Sequence, residues 1–439
     1  MIVRALAANV REAMTDTPVV LINGARQTGK STLARSIAGE RGVSNYYTFD
    51  DQVALKAALD DPEGFLSGLM RPVVLDEVQR TPDLFVAIKA AVDRDRKPGS
   101  FLLTGSADIL LLPRLSDSLA GRMEIITLWP LSQSEIEGAA LATQAPSIID
   151  ALFDGPVPAF ANPAPHREAV IQRILRGGYP TLLGRPADAR RNAWFDSYIT
   201  TIVQRDVRDM ADIDGLTEMP RLLATLAANA SSLLNFAGLS RDLGIPQTTL
   251  RRYLTILQTT FLVQLLPAWS TNLTSRIVKA PKLVLGDTGL IAYLTGMNAS
   301  GLGGALPIGS LVENFAVMEL RKLAAWSRTR PKLFHFRLHT GPEVDIVLED
   351  RAGNIVGVEV KASASVDGSD FKGLRILAEA AGRRFRRGVV LYTGGQTVPF
   401  AANLHALPME ALWSAPPSAG KPVSVSKPKR AASADRARK

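Results

Sequence analysis

The stretch "VVLINGARQTGKSTLARSIAG", residues 19–39, limits what this chain can fold into more than any other. A short apolar run passes through a glycine-rich turn straight into a helical pattern. Gly24, Gly29, Lys30 and Ser31 satisfy G-x-x-x-x-G-K-[ST], in the strand-then-helix context that the motif requires. Its glycines let backbone N–H groups turn inward on phosphate oxygens, and the helix N-terminus adds partial positive charge. The segment is therefore expected to cradle a nucleotide through Gly24, Gln27, Thr28, Gly29, Lys30, Ser31 and Thr32. Lys30 would reach the β and γ phosphates, and Ser31 would hold Mg²⁺.

Around this motif, residues 17–128 alternate Val/Ile/Leu-rich runs with helical periods: "PVVLIN", "NYYTFD", "RPVVLDE", "GSFLLTGS" and "EIITLW" read as strands buried on both faces. The expected fold class is α/β, with a parallel sheet of the P-loop NTPase type. "RPVVLDEVQR" closes its strand with Asp76, a second Mg²⁺ ligand, and Glu77, which would orient or deprotonate an attacking water. Thr104 and Ser106 in "FLLTGSADI" stand where a polar side chain senses a γ-phosphate. Arg122 in "LAGRMEIITLW" is either a catalytic cation, acting in cis or from a neighbouring subunit, or an ion-pair partner.

Composition narrows the rest. The chain has 439 residues, no cysteine and four histidines, which excludes a disulfide framework and Cys-ligated metal and fits a reducing cytoplasm. No eighteen apolar residues run together, so no membrane span is expected, and "MIVRALAANVREAMTDTP" reads as an amphipathic helix docked on the first unit. Of the net charge of +9, +6 sits in "KPVSVSKPKRAASADRARK", a Pro/Ser/Ala-rich tail expected to be disordered, which leaves +3 on the body.

Five units are expected: 1–130 (P-loop), 131–235 (helical extension), 236–300, 305–415 and the basic tail 416–439. In the third, "FAGLSRDLGIPQTTLRRYLTILQTTFLVQLL" outlines a winged helix-turn-helix with Gly244 in the turn. Its second helix would present Gln247, Thr248, Arg251 and Arg252 outward and Leu250, Leu254 and Leu257 inward, suited either to the major groove of DNA or to a protein contact. In the fourth, "PEVDIVLEDRAGNIVGVEVKAS" forms two strands in which Glu359 and Lys361 share one face. With Asp345 they can bind a divalent metal and position water against a phosphodiester. His335 and His339 are expected on the strand surface, with approach to the carboxylate cluster as the alternative; Trp269, Phe334 and Phe336 are expected as core or strand cover.

The order "LINGARQTGKSTLA", "VVLDEVQR", "LLTGSA", "LAGRMEIITLWPLSQSE" resembles the bacterial and archaeal ATPases of the AAA-type superfamily that carry a long C-terminal region. The resemblance covers residues 1 to about 415 and implies ATP and Mg²⁺ chemistry at Lys30, Ser31, Asp76 and Glu77. The distal unit resembles the PD-(D/E)XK nuclease superfamily: Asp345, Glu359 and Lys361 match its D…E-x-K positions, and Glu313 matches its helical acid. It departs from that pattern in lacking the Pro-Asp dipeptide, since Pro342 and Glu343 precede Asp345. The expected function is a cytoplasmic Mg²⁺-dependent ATPase acting with DNA, with a homo-oligomer left open. Two alternatives stand: an ATP-regulated endonuclease, and a non-catalytic nucleotide-switched binding protein. A small-molecule kinase fits less well, because the Asp-Glu pair suits activation of water.

Overall fold

The computed structural model describes residues 2–43, 45–108, 119, 121–138, 147–161, 167–207, 216–272, 274, 276, 279–298, 307–338 and 341–414. The expected tail, His339 and most of the segment around residue 300 lie outside these residues.

All five expected strands of the first unit form: β1 (Val19–Asn23), β2 (Tyr46–Thr48), β3 (Val73–Asp76), β4 (Phe101–Gly105) and β5 (Met123–Thr127). They build one parallel sheet in the order β2-β3-β4-β1-β5. Alternation along β1 explains its two-sided burial. Val19 and Leu21 join the core beneath helix Leu84–Arg94, while Val20 and Ile22 join the one beneath helices Ala7–Asp16 and Lys30–Glu40. Each such side chain contributes about 1.5–3 kcal/mol when fully buried. Because every strand runs the same way, the loops after β1, β3 and β4 converge on one edge of the sheet, the usual place for a ligand in an open α/β fold.

The middle of the chain is helical through Met219–Ala228. Asn235 then caps helix Phe236–Leu243 through its side chain, Gly244 ends that helix at φ 70°, and helix Gln247–Thr259 follows. Leu250, Leu254 and Leu257 are buried and Gln247, Thr248, Arg251 and Arg252 are exposed, as the periodicity predicts. Strands β6 (Val263–Leu266) and β7 (Lys282–Leu285) pair antiparallel behind this helix.

The distal unit is a mixed six-stranded sheet ordered β12-β13-β11-β10-β9-β8. Its strands are β8 (Lys332–Arg337), β9 (Glu343–Glu349), β10 (Ile355–Lys361), β11 (Phe385–Tyr392), β12 (Val398–Ala401) and β13 (Leu404–Pro408). The first four match expectation; β12 and β13 go beyond it. Trp269, Phe334 and Phe336 are core residues, as expected. His335 is not on the strand surface. It is 2% exposed with Nε2 3.1 Å from the Ala280 carbonyl, and burial, reinforced by the Lys282 charge, pushes its pKa down to about 4. One apolar core runs from Ile148 through Leu257 and Val284 to Phe315, Val358 and Trp413, so the middle and distal units share their interior. No helix among the described residues is long and apolar enough to cross a membrane.

Candidate functional site

The turn after β1 adopts a conformation that its residues impose. Gly24 sits at φ 145°, where an added Cβ would lie 2.2 Å from the Leu128 carbonyl oxygen, so only glycine fits. Gln27 at φ 64° and Gly29 at φ 93° complete the reversal that opens helix Lys30–Glu40. Lys30 is buried and donates from Nζ to the Ala25 carbonyl at 2.9 Å, which lays the ammonium along the inside of the loop. Thr28 donates to the same carbonyl at 2.9 Å.

Two carboxylates reach this cradle from the end of β3, and hydroxyls meet them from the end of β4. Asp76, 4% exposed, accepts from Ser31 Oγ at 2.9 Å and from Tyr46 OH at 2.6 Å, and Thr104 Oγ1 donates to it closely. That proximity and burial push the Tyr46 hydroxyl pKa up, so the group stays a donor. Glu77 stands in the left-handed region at φ 62°, a conformation that non-glycine residues adopt mainly where the surroundings demand it. Its N–H donates to Thr104 Oγ1 at 3.3 Å, and its carboxylate accepts from Gln79 Nε2 and from Ser106 Oγ at 3.2 Å. Gln79 Nε2 also donates to Ser106 Oγ at 2.9 Å, so the loops after β3 and β4 are tied together. A cavity of about 360 Å³ opens beside the cradle between Thr28, Gly29, Thr32 and Leu33 on one side and Ile2, Val3, Leu131 and Pro180 on the other.

Ser31 and Asp76 place two oxygen donors of the kind that Mg²⁺ takes side by side, and the turn behind them requires glycine at 24, where a Cβ would meet the Leu128 carbonyl, and at 29, where φ is 93°. Arg122 is not brought to this edge. Its carbonyl accepts from Val19 N at 3.3 Å at the opposite end of β1, about 15 Å away by strand rise, and its side chain pairs with Asp93 at 2.5 Å. Within one chain the ion-pair alternative is what is seen. Arg4, missed in the sequence, joins the site from behind: it donates to the Thr28 carbonyl at 2.6 Å, the Trp129 carbonyl at 2.7 Å and Glu135 Oε1 at 3.0 Å.

The distal acids also assemble, around an unforeseen residue. Lys282, on β7, is buried and its Nζ lies 2.6 Å from Glu313 Oε1 and 3.0 Å from Asp345 Oδ1. The other Asp345 oxygen accepts from Val360 N at 3.0 Å. Glu359 faces Lys361 at 3.1 Å, and Lys361 also approaches Asp370 at 3.6 Å. Asp345 and Glu359, the possible metal ligands of the distal unit, both lie in this cluster, and both Asp345 oxygens accept hydrogen bonds from protein donors. Among the described residues, no group of three or more His or carboxylate side chains is arranged to hold a metal ion. Burial, with Asp345 nearby, pushes the Glu313 and Glu359 pKa values well above the usual carboxylate range.

A pH signature follows. A carboxylate with a raised folded-state pKa binds more protons folded than unfolded, so stability falls as pH rises from the ordinary carboxylate value through the folded one. Glu359→Gln is therefore expected to gain stability relative to wild type between pH 5.5 and pH 9, read from urea midpoints. An equal difference at both pH values would contradict the assignment.

Comparison with known proteins agrees with the nucleotide site. The family described as an AAA domain matches residues 16–137, and two domains of unknown function (DUF8612 and DUF4143) match residues 167–301 and 308–412. An uncharacterized protein of Mycobacterium tuberculosis, Rv2008c, is 31% identical over 409 residues, spanning 93% of this chain and 83% of that protein. This chain belongs to the same family as that protein, and it carries an AAA domain. An uncharacterized protein of Mycobacterium bovis, Mb2031c, matches with the same figures. Among solved structures, a Walker-type ATPase of Pyrococcus abyssi aligns at 16% identity over 66% of this chain and 94% of its own, with a TM-score of 0.37. A variant of RuvB from Thermotoga maritima aligns at 20% identity over 59% and 86%, with a TM-score of 0.27. In this family member, the matched AAA segment contains Lys30, Ser31, Asp76, Glu77 and Thr104, all at one edge of the sheet.

Proposed function

We propose that this chain is a Mg²⁺-dependent ATPase whose nucleotide state is passed to a DNA-contacting helix. The observation that carries the reading is the meeting of Ser31 and Asp76 at 2.9 Å beside Lys30, at the mouth of a cradle that only glycine can form. Backbone N–H groups of residues 27–31 would hold the β and γ phosphates, and Lys30 would turn its ammonium from the Ala25 carbonyl to them. Ser31 and Asp76 would hold Mg²⁺, which when bound supplies neutralising charge to the phosphates. Glu77 would accept the proton of the attacking water, kept in place by Gln79 and Ser106. Thr104 bridges Asp76 and the Glu77 N–H, so it would register the loss of the γ-phosphate.

The route outward starts at the same loop. Asp108, just past Ser106, donates its N–H to the Thr259 carbonyl at 2.8 Å, at the C-terminal end of the helix that exposes Gln247, Thr248, Arg251 and Arg252. This link supports reading the unit as a winged helix that responds to hydrolysis. The Arg251 guanidinium lies 4.0 Å from the centroid of the Phe236 ring, which holds the head group while the residue stays exposed. The carboxylate cluster is read as an ion-paired junction between the middle and distal units, not as a cleaving centre, because the Lys282 ammonium sits between Glu313 and Asp345.

Phosphate release in Mg²⁺ buffer, with and without duplex DNA, tests the proposal. Wild type is expected to hydrolyse ATP faster with DNA, and Arg251→Ala with Arg252→Ala to keep the basal rate and lose the acceleration. Acceleration unchanged in that variant would remove the helix from the account, and metal-dependent nicking of plasmid would overturn the reading of the cluster.

A further inference from the structure

An open cavity of about 730 Å³ lies at the far end of β9 from Asp345. Asp345 and the lining residue Glu349 are four positions apart, roughly 13 Å along the strand. Its wall carries five cations, Arg276, Arg330, Lys332, Arg351 and Arg384, against two acids, Glu349 and Asp350.

Both acids already hold hydrogen bonds, and one of them is ion-paired. Glu349 takes a two-pronged contact from Arg276 at 2.6 and 2.9 Å, plus the Trp269 indole N–H at 3.4 Å. Asp350 accepts from the Asn354 N–H at 2.8 Å and the Asn354 side-chain amide at 2.7 Å, which closes the β9–β10 turn. Arg330, Lys332 and Arg351 face the cavity with no carboxylate within ion-pair distance among the described residues, while Arg384 lies within electrostatic reach of Glu349. Arg384 is steadied over the Trp269 ring, 5.8 Å from its centroid. Arg330 holds φ 43°, a left-handed conformation uncommon in a residue with a side chain, and its N–H donates to Ser327 Oγ at 2.9 Å. Like charges from separate elements repel, and nothing in the sheet requires them to converge here.

We propose that this cavity clamps the phosphate backbone of DNA, resting on the reading above that DNA is this protein's partner. Guanidinium groups match phosphate oxygens in a planar, two-pronged geometry, and two of the three unpaired cations, Arg330 and Arg351, are arginines. Trp269, beneath Arg276 and Arg384, is 1% exposed, so it offers no stacking surface for a base. The contact therefore fixes position along the strand without reading sequence.

The test is fluorescence anisotropy of the full chain with a labelled duplex over about 50–200 mM salt. Arg330→Gln/Lys332→Gln/Arg351→Gln is compared with wild type and with a control that neutralises the exposed Lys56, Arg94 and Arg96. All six are surface positions remote from the nucleotide site, so basal ATP hydrolysis and thermal midpoint should not move. The cavity variant is expected to bind at least about tenfold more weakly, with a salt slope lower by roughly 2–3, and the control to do neither. Arg351→Glu alone should act in the same direction. Duplex binding with an unchanged slope in the cavity variants would sink this site while leaving the DNA partner standing; no duplex binding by wild type would sink both. Competition by inorganic phosphate or poly-glutamate as effective as that by unlabelled duplex would also overturn the assignment.

Discussion

Glu77→Gln is expected to bind ATP as wild type does and to hydrolyse it about 10²- to 10⁴-fold more slowly, the range that a positioned general base supplies. At about 1.4 kcal/mol per factor of ten, that is roughly 3–5 kcal/mol of barrier. The separation of binding from turnover follows from where the residue stands. Glu77 touches none of the cradle; its partners are Gln79, Ser106 and, through its own N–H, Thr104. Glutamine is nearly the same size and can still receive the Gln79 and Ser106 contacts, so the backbone at φ 62° should persist. Rapid-quench turnover alongside nucleotide titration measures both quantities. A loss of ATP affinity equal to the loss of rate would mean that Glu77 holds the loop instead of serving the water.

Lys282→Met carries the largest expected effect on stability. It preserves most of the apolar stem and removes the ammonium, leaving Glu313 and Asp345 facing each other in a buried site. Breaking a buried pair from one side typically costs about 3–5 kcal/mol, because the partner charge is left uncompensated. Adding Glu313→Gln and Asp345→Asn to Lys282→Met should restore most of that loss, since a neutral cluster no longer needs a counter-charge. Urea denaturation of the single and combined variants reads both outcomes. A change below about 1 kcal/mol for Lys282→Met would mean that the pair is solvated and the junction reading is wrong.

Much of this was legible in the chain because local signals agreed with the global fold. The strands of the first sheet are short Val/Leu runs bounded by turns, and the sheet buries both their faces, so pattern and packing coincide. The alternation that puts Glu359 and Lys361 on one face of β10 agrees with their 3.1 Å contact. Lys282 was invisible for the opposite reason: "APKLVL" reads as an ordinary strand start, and only its pairing with β6 carries the lysine into a neighbouring unit's acids. Arg4 likewise reads as an interruption in an amphipathic helix, whereas the fold buries it behind the cradle. Strands β12 and β13 each contain proline, which weakens a strand signal away from sheet edges and ends. For Arg122 a signal did exist. A residue just before a parallel strand lies at the amino edge of its sheet, and ligands gather at the carboxyl edge.

The claim on which the rest depends is that the turn after β1 takes up the phosphates of ATP with the help of Lys30. Isothermal titration of MgATP into wild type and Lys30→Ala measures it directly, with circular dichroism establishing that both are folded. The account predicts saturable one-site uptake by wild type and its loss in Lys30→Ala. Equal uptake by the two proteins, or none by folded wild type, would contradict it.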